Sequence, residues 1–205
     1  MKTKFLLITF CLAFFGVLSS FGQNEADTAQ KQSAFSKFVT SDKVAFKLDY
    51  FGELVLHPGL SFGIDYTLIQ KNRITFHWDS EIGGYKHKWN HNALFVRSGI
   101  GTRFPIYSLF VDLTLGVGYL HSFADGTIYQ RSSSGGVEKA TNWGNPHFMP
   151  YSMFLMGWDG TRNSTLPVMI RFGAEVYLQS SFNQIYLPHV AAKLGFTYKF
   201  KRKNR

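Results

Sequence analysis

The strongest constraint on the fold of this chain is an alternation of period two that begins at Val44 and continues into the C-terminal region. In the segments 60–69, 109–120 and 168–178, apolar residues occupy every second position, and mostly small or polar residues lie between them. Successive side chains of a β-strand point to opposite faces, so this period predicts strands rather than helices. Each run is about as long as the 9–11 residues with which a tilted strand crosses a bilayer.

The charged residues fall on one face of these strands. We predict strands near residues 44–53, 60–69, 73–85, 93–104, 107–121, 147–159, 166–179 and 189–200. The sixth is placed by spacing alone, because it alternates poorly and contains Pro150. In the other seven, the more apolar face carries no charge, although 17% of all residues are charged. The opposite face carries thirteen charged residues: Lys47, Asp49, Glu53, Asp65, Asp79, Glu81, Arg97, Arg103, Asp112, Arg171, Glu175, Lys193 and Lys199.

An apolar exterior around a polar interior is what a barrel surrounded by lipid requires. We therefore predict an all-β fold, a closed antiparallel transmembrane β-barrel of about eight strands, located in the outer membrane. Eight strands enclose a lumen that side chains can fill, so the lumen charges are expected to pair with one another. A soluble β-sandwich or a lipocalin-like barrel, with apolar residues inside, remains the alternative.

The loop lengths predict the orientation of the barrel. If both termini face the periplasm, the connections 70–73, 105–106 and 160–167 lie on that side and are fairly short. The longest connection, 122–146, then lies outside the cell, which is the asymmetry expected of such barrels.

The N-terminal segment has the pattern of a secretory signal peptide. Lys2 and Lys4 precede an apolar run, and Ser20-Phe21-Gly22 forms a small-x-small cleavage site. We therefore divide the chain into a signal peptide (1–22), a flexible periplasmic lead-in (23–42), the barrel (43–200) and a basic tail (201–205). The single cysteine, Cys11, lies in the signal peptide, so the mature chain is expected to contain no disulfide.

The chain is basic, with a formal net charge of +9 that falls to +7 once the two lysines of the signal peptide are removed. A nucleic-acid partner is not expected for an exported chain with this strand pattern. Attraction to anionic lipid head groups accounts better for the charge. The expected partners are outer-membrane lipid and lipopolysaccharide, the barrel assembly machinery and other outer-membrane proteins.

The last strand resembles the C-terminal assembly signal of outer-membrane β-barrel proteins. That signal has a polar residue, a glycine two positions later and two alternating aromatic residues, which here are Lys193, Gly195, Tyr198 and Phe200. Such chains often end on the last aromatic residue, whereas five residues follow it here.

The mature region also resembles small, eight-stranded outer-membrane barrel proteins of Bacteroidetes type. The resemblance lies in Gly52-Glu53, His57-Pro58-Gly59, Gly116-x-Gly118-Tyr119-Leu120-His121 and Gly157-Trp158-Asp159. It implies a location and a fold more than an activity.

Two sets of residues are candidates for chemical sites. Six histidines are predicted near the outer end, namely His57, His87, His91, His121, His147 and His189. A surface metal or haem-iron site is one interpretation, but the loops supply no carboxylate beside them except the distant Asp125 and Glu138, which favours solvated or head-group-contacting histidines. His121 and Ser122 resemble the histidine and serine of lipid A deacylases, but adjacent strand residues face opposite sides and cannot cooperate. We therefore assign no catalytic residue, no metal ligand and no cofactor.

The function expected from the sequence is that of a non-enzymatic barrel with a structural or partner-binding role, including that of an accessory subunit of a larger outer-membrane complex. A lipid A-modifying hydrolase and a narrow channel are the alternatives. A partner is expected to bind the long outer loop, because long loops on rigid scaffolds often carry function. The loop contains residue types that serve as contact anchors or charges, namely Tyr129, Arg131, Lys139 and Trp143.

Overall fold

The computed structural model describes residues 41–132, 135–163, 166–182 and 185–199. The predicted signal peptide, nearly all of the lead-in, Phe200 and the basic tail lie outside these residues. The elements are β1 (Val44–Glu53), β2 (Gly59–Lys71), β3 (Ile74–His87), β4 (His91–Ile106), β5 (Leu109–Ala124), β6 (Ile128–Arg131), β7 (Val137–Ala140), β8 (Asn145–Asp159), α1 (Gly160–Asn163), β9 (Val168–Phe182) and β10 (Ile185–Lys199).

Eight of the strands form a closed antiparallel barrel in the order β1-β10-β9-β8-β5-β4-β3-β2. The ring closes between the first and last strands, whose register runs from Ala45 opposite Lys199 to Glu53 opposite Ala191. The remaining strands, β6 and β7, form a separate hairpin within the connection between β5 and β8. The predicted fold class is confirmed.

The strand predicted at 147–159 by spacing alone is present as β8, Asn145–Asp159. Its ladder with β5 runs the length of the strand, whereas its ladder with β9 begins only at Tyr151. Pro150, which has no N–H to donate, lies one residue before that second ladder starts. Because the ladder with β9 has not yet begun at residue 150, the missing N–H of the proline does not interrupt it, and the barrel still closes.

The barrel has an apolar exterior. Large side chains such as Leu60, Ile82 and Leu115 point outward and are more than 60% exposed. Soluble proteins rarely expose a continuous apolar surface of this kind, whereas a bilayer requires one. The belt therefore faces lipid, and the alternative of a soluble sandwich or lipocalin-like barrel is excluded.

Among the described residues, no helix is long and apolar enough to span a bilayer.

The two ends of the barrel differ in their connections. Two-residue turns join β2 to β3 and β4 to β5, at the end where β1 begins and β10 ends. At the opposite end, twenty residues separate β5 from β8, and they include the hairpin β6–β7. Short periplasmic turns and longer outer loops are the rule for such barrels, so this long connection marks the outer end.

Candidate functional site: the filled lumen and its outer mouth

The middle of the lumen contains a balanced network of buried charges. Four cations and four carboxylates form it: Lys47, Arg97, Arg171, Lys193, Asp49, Asp79, Glu81 and Glu175. These residues lie on β1, β3, β4, β9 and β10, and alternation directs all of them inward. The balance matters because each unpaired buried charge costs several kcal/mol.

Glu81 is the hub of this central network. Its carboxylate accepts hydrogen bonds from Lys193 Nζ at 2.7 and 2.9 Å and from Lys47 Nζ at 2.8 Å. Arg97 donates to it through Nε at 3.1 Å and Nη2 at 2.5 Å. One side chain therefore ties β3 to three other strands of the ring.

The other pairs of the central network surround this hub. The Arg171 guanidinium binds Asp49 with a fork of two bonds, from Nε at 3.0 Å and from Nη2 at 2.5 Å. Lys47 also donates to Asp79, and Arg97 also donates to Glu175.

A smaller charged group lies below the central network, toward the periplasmic end. Arg103 donates to Asp65 and to Asp112, each at 2.7 Å, and His77 Nε2 lies 3.5 Å from Asp112 Oδ1. Lys199 is half-buried at the same end and has no ion pair among the described residues. It borders a cavity of about 190 Å³, together with Thr67, Thr75, Arg103, Phe110 and Asp159. The other twelve predicted lumen charges are buried.

A layer of aromatic side chains covers the network toward the outer end. Phe51 is fully buried, and its ring lies 5.0 Å from Phe95 and 5.7 Å from Tyr85, measured between centroids. The Arg97 guanidinium lies 4.6 Å from the centre of the Tyr151 ring. The Tyr151 ring fits here because residue 116 is glycine. A Cβ at this position would lie only 2.5 Å from the ring. Aromatic packing and ion pairs therefore fill the lumen.

Above the aromatic layer, Glu53 lies among three histidines. His57 Nδ1–H donates to Glu53 Oε2 at 2.6 Å, and His189 Nδ1–H donates to Glu53 Oε1 at 2.8 Å. His87 Nδ1 lies 3.7 Å from Glu53 Oε2. The outer histidines therefore have a carboxylate beside them that comes not from a loop but from Glu53, which ends β1 and was predicted only as a lumen charge.

A tight turn brings His57 back onto Glu53. The two residues form an isolated bridge, with backbone hydrogen bonds of 3.1 and 3.0 Å. Between them, Leu54 and Val55 have φ angles of 46° and 67°, a left-handed conformation that is costly for such residues. The fixed turn holds the imidazole of His57 over the carboxylate.

The turn between β3 and β4 positions His87. Trp89 has a φ of 71° in this turn, and its N–H donates to Asp125 Oδ2 at 3.0 Å. Asp125 N donates in return to the carbonyl of Asn90 at 2.9 Å. These bonds attach the turn to the end of β5, and the His87 ring stacks on His57 with centroids 3.5 Å apart.

Ser122 does not pair with His121 but with His147. His121 faces outward, where its ring nitrogens bond Tyr119 at 2.6 Å and the carbonyl of Trp143 at 2.9 Å. Ser122 faces the lumen and donates to His147 Nε2 at 2.9 Å, while His147 Nδ1 donates to the carbonyl of Ser180 at 2.7 Å. Alternation along the strand correctly separates the adjacent pair, but it does not reveal this second one.

The long outer loop carries an ordered hairpin. Tyr129 lies opposite Lys139, and Arg131 lies opposite Val137. Directly opposed residues and residues two apart share a face, so these four side chains form one face, which we call the hairpin face. All four are exposed, as is Trp143 at the base of the loop. The structure thus brings together three of the four predicted loop residues.

The described residues of the predicted assembly signal occupy both faces of β10. Lys193 belongs to the central network, and Tyr198 is 40% exposed on the outer wall. Gly195 lies against Asp49, and a Cβ at this position would overlap the Asp49 carboxylate. Phe200 lies outside the described residues.

The sequence matches no family model and no curated protein. Among solved structures, it is similar to Neisserial surface protein A, with 10% identity, a TM-score of 0.47 and coverage of 77% of this chain and 96% of that one. The outer membrane enzyme PagL gives 13% identity, a TM-score of 0.45 and coverage of 76% and 98%. The outer membrane protein Ail of Yersinia pestis gives 13% identity, a TM-score of 0.39 and coverage of 77% and 98%.

These low scores carry no argument about activity. The closed ring, the apolar belt and the charged, filled lumen carry the conclusion by themselves: this chain is an outer-membrane β-barrel.

Proposed function

We propose that this protein is a non-enzymatic outer-membrane barrel that binds a partner protein through its outer loop, as an accessory subunit of a larger complex. The observation that carries the proposal is the hairpin face, which projects from a barrel whose lumen is filled. A rigid wall and a sealed interior leave the outer surface as the place where recognition occurs.

The filled lumen argues against the alternative of a narrow channel. An ion that crosses the barrel would have to displace the buried pairs around Glu81 and then the aromatic layer around Phe51. Breaking a buried ion pair costs about 3–5 kcal/mol, and several are stacked along the path.

The chemistry of the hairpin face indicates the kind of partner. Tyr129, Arg131 and Lys139 share the face with Val137, and no acidic residue lies on it. Glu138, on the opposite face, is engaged by Gln130 at 2.8 Å. Tyrosine and arginine are enriched among residues that dominate binding energy, so we propose a protein partner with an acidic surface.

Cross-linking in native outer membranes, followed by mass spectrometry, tests this proposal. The variant Tyr129→Ala/Arg131→Glu should lose at least about tenfold of the cross-linked partner, as expected when interface anchors are removed. The matched control, Gln130→Ala/Glu138→Ala, changes the opposite face of the same hairpin and should keep the yield. If both variants keep the partner, the hairpin face is not the binding site. If the hairpin variant loses only lipopolysaccharide, the ligand is the phosphate-bearing lipid and the protein-partner proposal fails.

A lipid A-modifying hydrolase is the second candidate, favoured by the hydrogen bond from Ser122 to His147 Nε2. A serine beside a histidine whose other nitrogen is fixed is the arrangement of an activated nucleophile. However, Ser122 is only 8% exposed, and the third group is a backbone carbonyl rather than a carboxylate. The ladder between β8 and β9 also stops at Tyr151, and His147 and Ser180 link the strands beyond that point, which gives them a structural role.

The mass of lipid A separates the two candidates. Lipid A from a strain expressing Ser122→Ala should equal that from the wild-type strain if the barrel is non-enzymatic. If lipid A from the wild-type strain instead lacks one acyl chain that lipid A from the Ser122→Ala strain retains, the protein is the hydrolase.

The residue patterns around His57-Pro58-Gly59 and Gly157-Trp158-Asp159 support assignment to small barrels of Bacteroidetes type, in a Gram-negative cell. Export through the predicted signal peptide and insertion by the barrel assembly machinery through the C-terminal signal follow from the same proposal.

A further inference from the structure

Three metal-ligating side chains converge at the outer mouth of the barrel. They are Glu53 at the end of β1, His57 in the following turn and His87 at the end of β3. We propose that they bind one divalent transition-metal ion of the zinc class. This inference goes beyond the proposed function, which requires no metal.

The separations of the donor atoms are close to those that a metal ion imposes. One donor atom from each residue lies within 4.8 Å of the other two. Glu53 Oε2 is 2.6 Å from His57 Nδ1 and 3.7 Å from His87 Nδ1. Tetrahedral zinc with bonds of about 2.0–2.1 Å places its ligands roughly 3.3 Å apart. The ion is admitted once the stacked rings of His57 and His87, whose centroids lie 3.5 Å apart, rotate so that both nitrogens face it.

One donor atom has no partner of its own. His87 Nδ1 is buried and makes no hydrogen bond, although it lies near the Glu53 carboxylate. A buried nitrogen without a partner costs free energy, and a metal ion bound there removes that cost. His57 Nδ1 holds the adjacent position, and it becomes free to ligate the ion when the imidazole carries its proton on Nε2 instead.

The donor set selects the class of ion. Two imidazoles and one carboxylate suit zinc and its neighbours, whereas magnesium and calcium prefer oxygen ligands only. The His57 and His87 side chains are 19% and 22% exposed, so the ion can enter from outside the cell. With three protein ligands, water completes the coordination.

A second layer of contacts fixes the carboxylate. His189 Nδ1–H donates to the other oxygen of Glu53, and His189 Nε2 lies 3.1 Å from Gln179 Oε1. Tyr177 stacks on His189 with an interplanar angle of 4°. Such outer contacts orient ligands and usually tune metal affinity.

Metal binding joins two outer connections that the barrel otherwise links through ordinary strand pairing. His57 belongs to the turn after β1, and His87 is the last residue of β3, next to the turn that leads to β4. A bound ion therefore fixes the outer rim beside the long loop and raises the midpoint of thermal unfolding.

Isothermal titration of protein purified from outer membranes in detergent, without a polyhistidine tag, tests the proposal. Wild-type protein should bind one Zn²⁺ and ignore Mg²⁺ and Ca²⁺, and bound Co²⁺ should give the visible absorption of a tetrahedral site. The variants His57→Ala, His87→Ala and Glu53→Gln should each lose the tight site. His189→Ala should weaken it by about 10- to 100-fold. The matched control His121→Ala removes an outward-facing histidine of the same end and should retain it.

The outcomes are decisive in both directions. Heat-modifiable mobility on gels establishes that each variant is folded. If the histidine variants do not fold, Glu53→Gln still tests the site, because glutamine keeps the size of the side chain. Stoichiometric binding that disappears only in the three ligand variants supports the site. Zinc binding that is absent, or equal in wild type and the His57→Ala/His87→Ala double variant, overturns it.

Discussion

Replacing Glu81 by glutamine tests whether the buried ions of the lumen hold the barrel together. Glutamine keeps the size of the side chain but removes the charge that Lys47, Arg97 and Lys193 share. The central network then has four cations and three carboxylates, so one cation loses its balancing charge in a fully buried position.

The expected cost follows from the burial of these groups. Removing one partner of a buried pair destabilises a protein by about 3–5 kcal/mol, because the remaining charge is left uncompensated. Total stabilities are commonly about 5–15 kcal/mol, so the loss is a large fraction of the free energy of unfolding. Lys193 makes two contacts with Glu81, at 2.7 and 2.9 Å, and replacing it as well should restore part of this loss.

Urea unfolding of the refolded barrel in detergent micelles measures the effect. Glu81→Gln should lower the free energy of unfolding by about 3–5 kcal/mol. The control Glu138→Gln changes an exposed acid of the outer hairpin and should stay within about 0.5 kcal/mol. In the double variant Glu81→Gln/Lys193→Met, we expect a coupling of about 0.5–3 kcal/mol. Equal midpoints for Glu81→Gln and Glu138→Gln would show that the buried charge of Glu81 does not stabilise the barrel.

Two further substitutions test the wall of the barrel. Gly195→Ala should destabilise it by about 1–3 kcal/mol in the same urea assay, because the new methyl group overlaps Asp49. The control Gly136→Ala should be neutral, because a Cβ at that position has nothing within 4 Å. Leu115→Arg, in the middle of the lipid-facing belt, should lower the free energy of unfolding from lipid bilayers by about 2–4 kcal/mol. The control Tyr107→Arg, in a periplasmic turn, should lower it by only about 0–1 kcal/mol. Equal costs for the two arginine variants would show that residue 115 does not face lipid.

The fold could be predicted because the lipid imposes a simple rule on every strand. Outward positions in the belt are mainly apolar, so period two and the one-sided distribution of charge located seven of the eight barrel strands, whereas spacing alone placed β8, which contains Pro150. The hairpin β6–β7 and the four-residue helix α1 were missed. Both lie in connections outside the belt, where no lipid imposes alternation and short elements leave little pattern.

The outer mouth could be predicted only in part, because its contacts depend on turns and register. Glu53 was assigned to the inward face, but the left-handed turn at Leu54 and Val55 decides that His57 folds back onto it. Ser122 and His147 are separated by the long loop, and alternation does not give the register between β5 and β8 that places them together. The abundance of histidine near predicted strand ends was the available signal.

Single-channel recording in planar bilayers tests the central claim that the lumen is filled and that the protein acts through its outer surface. Eight strands enclose a space that side chains can fill, and here the network around Glu81 and the layer around Phe51 occupy it. We expect no stable conductance steps above those of detergent alone, at any applied voltage that the bilayer tolerates. Stable steps of uniform size from the folded wild-type barrel would contradict it, because ions would then cross a lumen that the structure shows to be packed.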